Sequence, residues 1–92
     1  MLELEAHHTH LYPGAMGRVL SGRPDDGPVM LTLADGVRAT GRLEGDRLLI
    51  EAHRTGRGTR IAAKAWRVAF DDDGFRVTAR DTPPVDGSGA AG

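Results

Sequence analysis

Three turn signals cut the second half of this chain into segments, and each dictates how its flanks must pair: Asp35-Gly36, Gly45-Asp46 and Asp71-Asp72-Asp73-Gly74. Glycine enters the left-handed backbone region without a Cβ clash, so its place in a short loop sets the register beyond it. A three-residue loop, Ala34-Asp35-Gly36, places Leu33 opposite Val37, Leu31 opposite Ala39 and Val29 opposite Gly41. One face of that hairpin is then wholly apolar, whereas a two-residue loop would set Leu33 against Arg38. Gly45-Asp46 suits a type II′ turn and pairs Leu43 with Leu48, Gly41 with Ile50 and Ala39 with Ala52. Its other face joins Glu44 to Arg47, Thr40 to Glu51 and Arg38 to His53. A four-residue loop at 71–74 sets Phe70 against Phe75, Val68 against Val77 and Trp66 against Ala79.

Three hairpins that each sort apolar from polar side chains point to one fold class. The sequence predicts strands at 29–33, 37–43, 47–53, 65–70 and 75–80. The alternating run Leu2-Glu3-Leu4-Glu5-Ala6 adds a sixth. Pro13 to Pro28 is broken by glycine and proline and leaves room for a short strand near 17–20. The expected fold is all-β: an antiparallel meander of about six strands that curls into a small barrel or half-barrel and so reduces its edges. It would occupy residues 1–80 as a single domain. Residues 81–92, rich in Pro, Gly and small side chains, read as a disordered tail.

A rival reading exists at 60–71. Arg60, Lys64, Arg67 and Asp71 form a helical polar stripe, with Ile61, Ala65, Val68 and Ala69 on the far side, which would make the fold α+β. The charges oppose it: Arg60 would sit at the positive helix N-terminus and the aspartates at the negative C-terminus. The hairpin is preferred.

Composition narrows function by exclusion. The chain has no cysteine, so disulfides, thiolate nucleophiles and cysteine-ligated zinc are ruled out. Ser21 and Ser88 have no triad context, and phosphate-loop and dinucleotide fingerprints are missing, so no enzyme is expected. The acidic start lacks an apolar run and no stretch has the length to span a bilayer, which predicts a cytoplasmic protein without a membrane partner. The four aromatic residues are Tyr12, Trp66, Phe70 and Phe75, so the core depends on smaller aliphatics and self-association into a homo-oligomer is an open option.

Charge is the main asymmetry. Residues 36–67 carry eight cations against Glu44, Asp46 and Glu51, between two acidic flanks. Arg38, Arg42, Arg54, Arg57 and Arg60 are the candidate ligand-binding residues, because a guanidinium forks onto carboxylate or phosphate. The loop from Arg54 to Arg60 holds two glycines, two threonines and no carboxylate, and is the densest part. The expected role is an interaction module that docks a protein partner or an acidic ligand through this face. A pI near 6.4 does not favour nucleic acid. The alternative is a metal-binding protein: in the cluster His7-His8-Thr9-His10, His8 and His10 project to one side of an extended chain and can share zinc or nickel, with His53 the one histidine outside the cluster for a third ligand. Otherwise no cofactor is expected. Trp66 reads as a core residue in preference to an exposed stacking platform. The aspartates at 71–73 lack the calcium-loop spacing and read as a solvated turn.

The runs Gly58-Thr59-Arg60-Ile61, Ala65-Trp66-Arg67-Val68 and Asp73-Gly74-Phe75-Arg76-Val77 resemble the closing strands of PilZ domains. Those are small β-barrels that, as a family, commonly bind cyclic di-GMP. The resemblance covers about residues 29–80 and implies a barrel. It implies no cyclic dinucleotide site here: Arg18 and Arg23 do not have the family's Arg-x-x-x-Arg spacing, and Glu44-Gly45-Asp46-Arg47 does not match its Asp/Asn-x-Ser-x-x-Gly turn.

Overall fold

Alternation with period two runs through nearly every strand of the computed structural model, which describes residues 1–82 of the chain. In order the strands are β1 (Leu2–Ala6), β2 (Met16–Ser21), β3 (Gly27–Thr32), β4 (Arg38–Glu44), β5 (Arg47–Ile50), β6 (His53–Arg54), β7 (Arg60–Ile61), β8 (Lys64–Phe70) and β9 (Phe75–Asp81). Seven of them close a barrel in the order β1-β2-β9-β8-β5-β4-β3, and β6 and β7 form a separate two-stranded arm. The fold is all-β, and the helix considered for 60–71 does not form. Burying Trp66 and Val68 while leaving Arg67 and Ala69 outside needs a period of two, which β8 supplies. Among the described residues no helix is long and apolar enough to cross a membrane. The expected tail lies beyond them from residue 83.

The first two hairpins have the register read from their turns. Leu31 faces Ala39 and Val29 faces Gly41. Leu33 donates its N–H to the Val37 carbonyl at 2.8 Å, and Gly36 takes φ +88° in the loop between them. Leu43 faces Leu48 and Gly41 faces Ile50, with Glu44 opposite Arg47 on the outer face. Inward residues of these strands join Leu4, Phe75 and Val77 in one core. Each large aliphatic buried this way contributes about 1.5–3 kcal/mol.

The expected small, mostly antiparallel all-β barrel is the fold observed, and three details of it differ. First, the barrel is not a simple antiparallel meander: β1 lies between β2 and β3, antiparallel to the first and parallel to the second. The segment after β2 does not turn back as a hairpin but crosses to the other side of β1. There Asp26 Oδ1 accepts the Gly45 N–H at 2.7 Å and ties the crossing to the β4–β5 turn. This arrangement pairs both edges of β1 and leaves β2 free to reach β9 and close the wall. Second, β5 stops at Ile50. Thr40 still holds Glu51, accepting its N–H through the backbone carbonyl at 2.9 Å and donating its hydroxyl to the carboxylate. Ala52 and His53, however, leave Ala39 and Arg38, because His53 pairs with Ile61 in the arm. Third, Trp66 faces Arg80 rather than Ala79. A register shift between Arg67 and Val68 adds a residue on β9, and the Arg80 guanidinium stands 6.0 Å from the indole centroid. Phe70–Phe75 and Val68–Val77 pair as expected.

The seam between β2 and β9 is short, with Met16 opposite Arg76 and Gly17 opposite Phe75. Gly17 is needed there for space: a Cβ would overlap the Glu5 carbonyl oxygen and the Phe75 ring. The outer wall of β5, β8 and β9 carries an ion network. Asp81 lies 3.0 Å from Arg47 Nε and 3.1 Å from Arg67 Nε, and Arg67 also reaches Asp46 at 2.7 Å. Arg47 Nε and Asp81 Oδ2 are shielded from water and face each other as charges rather than as an aligned hydrogen bond.

Candidate functional site

The barrel has two unlike ends. One is bounded by the β4–β5 and β8–β9 turns. In the second of these, Asp71 Oδ1 accepts the N–H groups of Asp73 at 2.8 Å and Gly74 at 2.9 Å, so one carboxylate of the aspartate run caps its own turn. The other end is open and contains a cleft of about 670 Å³, within the range of small-molecule sites. Its floor is the top of the core, Leu31, Leu33, Ile50 and Trp66.

The β6–β7 arm overhangs this mouth. Its loop is closed by the Thr55 N–H on the Thr59 carbonyl at 2.8 Å and by Thr55 Oγ1, which accepts the Thr59 N–H at 3.1 Å. Arg54 donates to the Gly58 carbonyl at 3.0 Å, which stiffens the loop from its side. The arm reaches toward the β3–β4 turn, where a Cβ at Gly56 would touch Val37 at 3.8 Å. On the far side the β1–β2 loop brings Leu11 and His10 to the cleft, and this loop is tied to the same turn by the Ala34 N–H on the His8 carbonyl at 3.0 Å.

The charge of the mouth follows from these placements. Arg57 and Lys64 line it as cations, His10 and His53 bring imidazole rings, and Asp35 is the acidic residue. Asp35 is already engaged, accepting the Val37 N–H at 3.1 Å in its own turn. The rim therefore carries two cations against one carboxylate above an apolar floor.

The sequence-derived arginines separate into two groups. Arg54, Arg57 and Arg60 share the arm, where Arg54 and Arg60 are direct cross-strand partners; of the three, Arg57 lines the cleft and the other two do not. Arg38 and Arg42 lie on the outer wall of β4, and Arg42 is drawn to Glu44 at 3.4 Å. Further surface arginines enter salt bridges, Arg18 with Glu5 at 2.8 Å and Arg47 and Arg67 in the outer-wall network. Among the described residues no carboxylate comes within ion-pair distance of Arg38, Arg54, Arg57 or Arg60.

His8 and His10 are exposed and pack their rings against Tyr12, at centroid distances of 5.2 and 5.5 Å. Among the described residues no group of three or more metal-ligating side chains converges. Trp66 is 5% exposed, a core residue whose upper edge also lines the cleft. Lys64 was visible from the sequence as one cation of the basic segment, and Leu11 was not singled out. Their signal is weak, because a lysine in a basic segment and a leucine in a glycine-rich loop carry no local mark of convergence.

Compared with known proteins, the chain matches no family model, no curated protein and no solved structure. The PilZ-like pattern is supported as a small closed barrel, with no tie to that family in particular.

Proposed function

We propose that this chain is a non-catalytic binding module that docks an acidic partner on the β6–β7 arm, beside the barrel mouth, through Arg54, Arg57 and Arg60. One observation carries the reading. Arg54 and Arg60 sit directly opposite each other, Arg57 lies in the loop between them, and the arm contains no carboxylate. Like charges in that relation repel, and a bound anion removes the repulsion. The arm is an exposed connection on a rigid wall, the usual seat of a binding surface.

The test uses a fluorescein-labelled hexaglutamate peptide as an acidic probe. Arg57→Glu is expected to weaken its binding about tenfold, equivalent to about 1.4 kcal/mol. The melting temperature should barely move, because Arg57 is exposed. Binding to the wild-type chain should also fall as salt rises, since the Debye length shortens from about 10 Å at 0.1 M to about 3 Å at 1 M. Binding indifferent to both charge and salt overturns the reading. The interaction would then belong to the apolar side chains on the outside of β2, Met16 and Leu20.

A further inference from the structure

The arm supplies charge, but the cleft beneath it is mostly apolar, and an acidic partner held by arginines alone has no use for that floor. Leu31, Leu33, Ile50 and Trp66, each buried in the core, close the bottom, and Val37 and Ile61, both half-buried, form the sides and leave apolar surface open. Apolar surface left open to water at the end of a small barrel is unfavourable until something covers it. The polar groups are gathered at the rim, so a ligand must present its charge at one end only. Arg57 and Lys64 against Asp35 leave the rim a surplus of one positive charge, and Asp35 opposes any ligand whose negative charge is spread along its length.

From this geometry we infer that the mouth takes an amphipathic monoanion: a free acyl carboxylate with its chain on the apolar floor and its head group between Arg57 and Lys64. The inference rests on the proposal that the arm docks an acidic partner, and it names the class of that partner. An acidic peptide would meet the arm and leave the floor uncovered; an acyl carboxylate covers the floor and meets Arg57, the arginine of the arm that lines the cleft. Trp66 is the chain's one tryptophan and lines the cleft, so its fluorescence reports occupancy directly.

The experiment titrates the whole chain with straight-chain carboxylates from hexanoate to dodecanoate, each below its micelle concentration, reading Trp66 emission. Affinity should rise about fourfold per methylene until the cleft is filled. Arg57→Glu should weaken every member of the series by a similar factor without changing that slope. Ile61→Asp should flatten the slope, with Val37→Asp as the second variant if the first does not fold. An alcohol of equal length should bind more weakly than the carboxylate. A series with no dependence on chain length overturns the inference. If hexaglutamate then still binds in an Arg57-dependent way, the acidic-partner reading stands alone; if neither probe binds, both are wrong.

Discussion

The β4–β5 hairpin turns through Gly45 and Asp46 and the β6–β7 arm through the longer loop from Thr55 to Thr59, and the two stand on different physical supports. Between β4 and β5 four residue pairs line up, and on the inner face Leu43, Leu48 and Ile50 enter the core. Between β6 and β7 there are two pairs, one of them Arg54 with Arg60, and Ile61 remains half-buried. The first hairpin is held by burial, which is large and indifferent to solution conditions. The second is held by loop hydrogen bonds and opposed by its own charge, each a term of about 1 kcal/mol or less. A hairpin with so little core beneath it opens locally at small cost, which suits a segment that must accommodate a ligand.

Substitutions can break or sharpen that contrast. Leu48→Ala should show the largest effect, lowering the free energy of unfolding by about 3 kcal/mol in a urea titration, because a fully buried leucine leaves a cavity. Ile61→Ala in the arm should cost well under half as much; equal losses would mean that the arm is part of the core. Gly17→Ala at the β2–β9 seam should follow at about 2 kcal/mol, since the added methyl meets a backbone oxygen that cannot yield. Thr55→Ala removes the acceptor of the Thr59 N–H, and about 1 kcal/mol should be lost from the arm. That loss should speed amide exchange at Thr59 and Gly58 while leaving exchange in β4 and β5 unchanged. Arg60→Glu should have the smallest effect and the opposite sign, firming the arm by about 0.5 kcal/mol by turning a repelling pair into an attracting one. The same variant should bind hexaglutamate more weakly, so arm stability and affinity would move in opposite directions. Their moving together would contradict the role assigned to the arginines.

The outer-wall network gives the same lesson for charge. Arg47 and Arg67 are matched to Asp46 and Asp81, while the arm's arginines have no carboxylate of their own among the described residues. Both sets look alike in the sequence, as arginines in one basic segment. Which of them are satisfied depends on β9 bringing Asp81 alongside β8, across the β8–β9 turn from Arg67 and farther still along the chain from Arg47. A charge count along the chain cannot see that pairing.

What was legible in advance was local. Leu31 with Ala39, Leu43 with Leu48 and Val68 with Val77 followed from glycine placement and period-two alternation, because a one-residue slip would have turned every apolar side chain outward. Where the local signal was ambiguous the reading failed by small amounts. A single extra residue on β9 moved Trp66 from Ala79 to Arg80, and no residue type announces a bulge of that kind. The candidate site was half legible. Arg57 was marked by its uncompensated charge, but its neighbours in the mouth were not marked as neighbours.

The sequence by itself determined the main strands from residue 29 onward and the three turns that join them, apart from the break after Ile50, the β6–β7 arm and the bulge on β9, because those pairings are decided by contacts between residues close along the chain. Only the tertiary structure decided that β1 inserts beside β3 in parallel, that β2 closes on β9, and that His10, Val37, Arg57 and Trp66 surround one cleft. Those choices depend on which closure of the wall pairs the most edges and buries the most apolar surface. That is a property of all seven barrel strands together, and no short segment carries a trace of it.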